Sequence, residues 1–345
     1  MKASDPMQEP GTARHVFASG APRSGTTLLQ LVLSAHPRIT IAPETRLIGW
    51  LFRLRRSPHR SLSEEDRALL QHWVRADRQL TSWPGAVAED VERMLDAETN
   101  WTVASFLDRL FQLYARRTGG GTAWLGNKRE LYLAGYTGYT LRTFTDARFI
   151  AIVRDPRDVV RSIVKNLRTK EVDAAATVCH VMGRHIAAAQ KRYPDRVQVV
   201  RYEDLVREPE PVCRRICSFL GEPFDAGMIT FHEGNRDGAR LIGDTRDMHP
   251  HTTTPFNPDL IGQWKKKACF SQEELRAIES ATRDILLQFG YEPATDARPG
   301  WDRARMQRAW TYHRQRVGRL FPRPPVGEAI IRRQDAGPDE LRRGN

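Results

Sequence analysis

The chain has 345 residues, 40% of them hydrophobic, enough to bury a sizeable core and to build one large or two moderate domains. Its formal charge is +12, and only eight of its 54 basic residues are lysine, a bias toward arginine that favours forked recognition of phosphate, sulfate or carboxylate over a merely solvated basic surface. Aromatic residues are not interleaved with the arginines and no finger, helix-turn-helix or RNP signature occurs, so nucleic acid is not an expected partner.

The first fifteen residues lack an apolar core of the signal-peptide kind, and no run approaches the ~18 apolar residues of a membrane span, so a cytoplasmic location is expected. The four cysteines, Cys179, Cys213, Cys217 and Cys269, form no C-x-x-C pair and read as small buried hydrophobes of a reducing compartment.

In chain order, the apolar run His15 to Ser19 predicts a strand that enters a glycine loop, and a helix runs from Thr26 to Ala35 until Pro37 stops it. "RITIAPET", residues 38–45, predicts a second strand with Glu44 at its carboxyl end. Residues 51–117 carry helical periodicity broken at Trp83-Pro84-Gly85, so 51–122 reads as a helical insertion or lid. "AWLGNK", 123–128, is strand-like. "RFIAIVRDP", 148–156, predicts a buried strand followed by a helix from about Arg157 to Arg168. "DRVQVVRYEDL", 195–205, predicts another strand, and a helix over 209–220 ends at Gly221.

Residues 233–258 form a long polar loop, of the kind that is usually functional or disordered. Ser271 and Glu274 make a capping box for a helix that runs to Phe289 and stops at Gly290. His36, His180, His185 and His232 have no metal-site spacing and read as structural or solvent-facing. Strands alternating with helices predict an α/β fold with a central, mostly parallel sheet and ligands at the carboxyl ends of the strands, where Arg23, Glu44, Lys128 and Arg154 all fall.

The final segment, 299–345, holds eleven arginines against five acidic residues, and Met306, Trp310, Val317, Leu320 and Phe321 recur at approximate helical spacing. Such a basic extension either docks its apolar face on the body or contacts an acidic surface peripherally. The expected organisation is therefore one α/β domain over 14–298 followed by the extension 299–345.

Gly20-Ala21-Pro22-Arg23-Ser24-Gly25-Thr26-Thr27 has the glycine spacing of a phosphate-cradling P-loop, G-x-x-x-x-G-K-[ST], with Thr26 at the lysine position. In nucleoside triphosphatases that lysine reaches the β and γ phosphates and the following Ser or Thr holds Mg²⁺. Thr26 and Thr27 still offer hydroxyl donors, Arg23 brings charge into the loop, and backbone N–H groups at the helix start hold an anion. A ligand with one phosphate beside the transferred group, and no metal, needs no more than this.

"GAPRSGTTLL" followed by "AHPRITIAPETRLI" resembles the sulfotransferases that use 3′-phosphoadenosine 5′-phosphosulfate (PAPS), most closely the tyrosylprotein branch and its bacterial relatives. "FIAIVRDPRDVVRSI" is similar to the family's 3′-phosphate motif, and "VVRYEDLVREPEPVCRRICSFLG" and "IGQWKKKACFSQEELRAIE" resemble further family blocks, so the likeness spans roughly residues 14–294. It implies a P-loop-type three-layer fold. It further implies that Arg23, Ser24, Gly25, Thr26 and Thr27 cradle the 5′-phosphosulfate, that Arg154 and Ser162 hold the 3′-phosphate, and that Tyr202 lies against the nucleotide.

By the same resemblance Glu44 is the catalytic base, Lys128 helps stabilise the departing group, the loop with Arg23 holds the sulfur in position, and Arg46 contacts acidic residues flanking the acceptor. Asn166 stands where the family has a basic residue, and the loop 236–257 lacks the tyrosylprotein branch's serine-rich motif. Thr245, Arg246, Thr252, Thr253 and Thr254 are therefore alternatives for completing the nucleotide site. The implied function is metal-independent transfer of a sulfuryl group to a small-molecule, glycan, lipid or peptide hydroxyl. The alternatives are a P-loop kinase or NTPase-like enzyme and a non-catalytic protein that binds anions or nucleotides.

Overall fold

The computed structural model describes residues 13–53, 57–84, 87–129, 136–166, 172–234, 254–266, 269–300 and 307. Five strands, β1 (Arg14–Gly20), β2 (Ile39–Ala42), β3 (Trp124–Asn127), β4 (Arg148–Val153) and β5 (Val197–Arg201), form one sheet in the order β2-β3-β1-β4-β5. All four pairings are parallel, and β1 runs along β4 from Val16 opposite Arg148 to Gly20 opposite Ile152. Both faces of the sheet are buried, as an all-parallel sheet requires.

Alternate residues of each strand enter different cores. Val16, Ala18, Ile150 and Ile152 pack on one face with α1 (Thr26–Ser34), α10 (Tyr202–Arg207) and α11 (Pro209–Leu220). Phe17, Phe149, Ala151 and Val153 face the other side, against the helices between β2 and β3 and against α9 (Val172–Arg192) and α13 (Gln272–Gln288). Those intervening helices are α2 (Arg46–Arg53), α3 (Glu64–Ala76), α4 (Arg78–Thr81), α5 (Val87–Ala97) and α6 (Val103–Thr118). Trp73, Trp101, Phe106, Phe111 and Tyr114 from this group are buried in the same core as the sheet residue Phe17. The helices α7 (Thr137–Thr143), α8 (Pro156–Asn166) and α12 (Phe231–Gly234) complete the α-helices among the described residues.

Three sequence expectations change. The strand expected over 195–205 ends at Arg201, because Tyr202 begins a helix with Glu203 and Asp204 in its first turn, where carboxylates complement the helix dipole. The strand expected over 38–45 is only Ile39–Ala42, and Pro43, Glu44 and Thr45 leave it as a turn. Between α8 and β5 stands the 21-residue helix α9, which the sequence reading left unassigned. Its buried side is built of Ala174, Ala175, Ala176, Cys179, Met182, Gly183, Ile186 and Ala189, small residues that give a weak apolar stripe.

The capping box at Ser271 and Glu274 is formed, and Gly221 ends α11 in the left-handed conformation at φ 70°. Cys179, Cys213 and Cys217 are buried free thiols and Cys269 is half-buried. Most of the loop 233–258 and, apart from Pro299, Gly300 and Gln307, the C-terminal extension lie outside the described residues, as do Thr245, Arg246, Thr252 and Thr253.

Candidate active site

The glycine loop leaves the carboxyl end of β1, the central strand, between neighbours β3 and β4. Ligands of open parallel sheets bind at this edge. Two residues turn the chain through the left-handed region, Arg23 at φ 68° and Gly25 at φ 104°. Arg23 is the only non-glycine among the described residues with a positive φ. Such a conformation costs on the order of 1 kcal/mol for a residue with a Cβ and is typical of functional loops. Gly25 precedes the first turn of α1, and a Cβ there would meet the Tyr202 ring at 2.7 Å, so the loop and the ring fit only with glycine between them.

Ser24 differs from its sequence-based role. Its hydroxyl donates to the carbonyls of Ala21 at 2.7 Å and Ile152 at 3.3 Å, and its N–H also reaches the Ala21 carbonyl, at 3.1 Å. The side chain is fully buried and ties the loop to β4. Thr26 and Thr27, in the first turn of α1, are the loop hydroxyls placed at the helix start.

On the β4 side of the loop, Arg23 Nε donates to Ser162 Oγ at 3.2 Å, joining the loop to α8. The Arg154 guanidinium stacks on the Tyr202 ring, 4.3 Å from its centroid. It also donates to the Leu260 carbonyl at 2.6 Å and lies 3.5 Å from the Asp158 carboxylate. Arg154 Nε is buried without a hydrogen-bond acceptor. Burial and then the neighbouring Arg154 charge push the Arg23 guanidinium below its usual range. Two like charges half-buried together favour a bound anion, which relieves both burial and repulsion.

Segment 258–264 covers Arg154. The Asp158 carboxylate accepts the N–H groups of Gly262 and Trp264, each at 2.8 Å, and the Trp264 indole donates to Asp155 at 3.1 Å. Burial pushes the Asp158 carboxyl up, while Arg154 pulls it down. Sequence reasoning assigned no role to Asp158, Leu260 or Trp264 within the site. Their separation from Arg154 along the chain hides the contact, and only the W-K-K block hinted at it.

On the β3 side, Lys128 extends the β3 edge as a single bridge beside Ala18 of β1. Its ammonium sits 2.8 Å from a Glu44 carboxylate oxygen and 3.1 Å from Thr27 Oγ1. The Lys128 side chain is 9% exposed and that of Glu44 28%, so the pair opens to solvent from the carboxylate side. Arg46, two residues on, heads α2 and is half-buried.

The sequence-predicted residues thus gather into two groups flanking one glycine loop. Arg23, Arg154, Ser162 and Tyr202 stand on the β4 side, and Glu44, Lys128 and Thr27 on the β3 side. Residues that hold the Glu44 turn itself, Asp77, Trp83, Asn127 and Arg129, were not anticipated.

Comparison with known proteins agrees with this architecture. Protein-tyrosine sulfotransferase of Drosophila melanogaster is 26% identical over 264 residues, covering 72% of this chain and 46% of that protein. Protein-tyrosine sulfotransferase 1 of Danio rerio is 26% identical over 286 residues, 81% of this chain and 72% of that protein. The chain therefore spans under half of the first relative's length. Among solved structures, the sulfotransferase domain of the Synechococcus PCC 7002 olefin synthase superposes with a TM-score of 0.59 at 23% identity, over 85% of this chain and 99% of that domain. The sulfotransferase domain of the curacin biosynthetic pathway gives 0.55 at 23% identity, over 82% and 99%. These two likenesses show the three-layer fold. The family model described as the sulfotransferase family matches residues 15–226, from the first strand through α11, and the chain belongs to that family.

Proposed function

We propose that the chain transfers the sulfuryl group of PAPS in line to an acceptor hydroxyl. The observation that carries this reading is the position of Lys128, within reach of both the Glu44 carboxylate and the Thr27 hydroxyl of the phosphate loop. A proton acceptor, a cation and an anion cradle stand in one row. The donor supplies a sulfuryl group already attached to a phosphate leaving group.

The residues present fit such a donor. The loop N–H groups, Thr26 and Thr27 meet the phosphosulfate end. Arg23, in the same loop and bonded to Ser162, brings charge to that end, while Arg154 and Ser162 offer charge and hydrogen bonds to the second phosphate, with the unsatisfied Arg154 Nε as a donor to it. Tyr202, fixed between Gly25 and Arg154, offers a face to the nucleoside. Glu44 takes the acceptor proton as its oxygen bonds to sulfur and the bond from sulfur to the phosphate oxygen breaks. Lys128 then neutralises the phosphate oxygen released, a role that needs its proton retained. Arg46, half-buried at the head of α2 two residues after Glu44, would meet an acidic acceptor, which favours a peptide tyrosine flanked by carboxylates over a neutral sugar.

The desulfated product PAP should therefore bind much more tightly than AMP, and EDTA should not change its affinity. Arg154→Ala should cost about 2 to 3 kcal/mol of PAP affinity, the range of a lost hydrogen bond to a charged group. Calorimetry showing equal affinity for PAP and AMP would overturn the donor assignment.

A further inference from the structure

The turn that carries Glu44 is held by a set of buried side chains from separate segments. Three consecutive carbonyls, those of Pro43, Glu44 and Thr45, each accept from a different buried side chain. Asn127 Nδ2 donates to Pro43 at 3.4 Å, Trp83 Nε1 to Glu44 at 3.0 Å, and the Arg129 guanidinium to Thr45. The Thr45 hydroxyl donates to Asp77 Oδ2, which also accepts the Leu47 N–H at 2.9 Å, while Asp77 Oδ1 accepts the Gln79 N–H at 3.0 Å. Asp77, Thr45 and Asn127 are fully buried, and Trp83 and Arg129 are nearly so.

Two of these five side chains, Asn127 and Arg129, flank Lys128, the partner of Glu44. The other two that reach the turn from outside, Asp77 and Trp83, come from the α3–α5 region of the inserted helices. The chain from 43 to 45 has left β2 and has no ladder to fix it, so its position is set by these side chains. A carboxylate on a free turn would sample positions an ångström or more apart. Burying an unpaired carboxylate such as Asp77 is costly, and here three donors offset that cost in order to fix the start of α2.

Resting on the reading of Glu44 as the base, we infer that Trp83, Asp77 and Thr45 are positioning residues for sulfuryl transfer. They aim the Glu44 carboxylate by fixing its main chain, and through them the inserted helices take part in catalysis without touching substrate. Displacing a catalytic group by about 1 Å typically costs up to 10²-fold in rate.

Trp83→Phe removes only the indole N–H and keeps the ring that packs edge-on against Tyr114, 5.2 Å between centroids. Thr45→Val removes the hydroxyl at nearly constant volume, and Thr45→Ser restores it. The assay is PAPS turnover with the best acceptor of a panel holding a phenol, an acidic tyrosyl peptide and a sugar, beside PAP affinity and melting temperature. Expected is a kcat reduced roughly 10- to 100-fold in Trp83→Phe and Thr45→Val. PAP affinity should stay within about threefold, and Thr45→Ser should recover most of the rate.

The deciding measurement is the cycle with Glu44→Gln. In that background Trp83→Phe and Thr45→Val should cause no further loss, because the group they aim is already inactive. If Glu44→Gln is slow and the second substitution slows it again by the same factor, the positioning role is wrong while Glu44 stays the base. Wild-type rates in Trp83→Phe and Thr45→Val also overturn the positioning role. If Glu44→Gln itself turns over at the wild-type rate, or the wild-type enzyme is inert with every acceptor, the underlying reading fails instead. Should Trp83→Phe not fold, the Thr45 pair decides.

Discussion

Lys128 is buried within reach of one carboxylate, Glu44, and one hydroxyl, Thr27, while burial and the nearby Arg154 charge push the Arg23 guanidinium below its usual range. At this scale the sequence was informative about chemistry and silent about support. Arg23, Thr26, Thr27, Glu44, Lys128 and Arg154 fall where strand ends and the loop motif put them, whereas Ser162 and Tyr202 were indicated only by the family resemblance. The turn of Ser24 inward, and the hold of Trp83 and Asp77 on the Glu44 turn, depend on contacts between distant segments that no spacing rule encodes. His15 is a second residue whose role only the structure shows. It stacks on Phe144 at 3.8 Å between centroids, with its two ring nitrogens each 3.1 Å from a carboxylate, Asp146 and Asp108. Burial lowers its pKa, but the two carboxylates outweigh burial and hold it above the usual 6.5. A raised pKa stabilises the folded protein fully below the unfolded value and loses that contribution as pH rises through the folded one. The melting-temperature advantage of the wild type over His15→Gln should therefore be largest below about pH 6.5 and shrink above it. Thermal melts across about pH 5 to 9 that show a constant difference would remove the charged pair as its source.

Among the elements, those with strong local signals were legible. β1, the loop and α1 carry an apolar run, two glycines and a helix start. β4 is a continuous apolar run, and α11 and α13 carry a glycine cap and a capping box. α9 was not legible because its buried side holds four alanines and Gly183 with only Met182 and Ile186 as large apolar residues, and Gly183 packs so close to Ile285 of α13 that a Cβ would sit 2.7 Å from that side chain. Nor did Arg157 look structural. The sequence places it only at the start of a helix, yet it forms a buried ion pair with Asp155 at 2.8 Å and Glu279 at 2.6 Å, tying α8 to α13. Glu279 also accepts from the N–H groups of Ala294 and Thr295 and the Thr295 hydroxyl, which hold it ionised below the usual range despite burial. Removing one partner of such a pair leaves the rest unsatisfied, so Glu279→Ala should lower stability by about 3 to 5 kcal/mol in urea unfolding. A loss under about 1 kcal/mol would mean that Asp155 alone satisfies Arg157.

Over the whole molecule, the parallel sheet brings the carboxyl ends of β2, β3, β1 and β4 to one edge, and each contributes a group to it: the Glu44 turn, Lys128, the glycine loop and Arg154. The inserted helices pack on one face of the sheet and reach this edge through Trp83 and Asp77, while α8 and segment 258–264 close the other side over Arg154. Under the proposed function, donor binding falls on one side of the loop and proton transfer on the other, so the two should separate under substitution. The direct test is Glu44→Gln, which keeps the shape of the side chain but removes its capacity to take a proton. The account predicts PAP affinity within about threefold of the wild type together with PAPS turnover lowered by roughly 10² or more. A Glu44→Gln enzyme that turns over PAPS at the wild-type rate would contradict it.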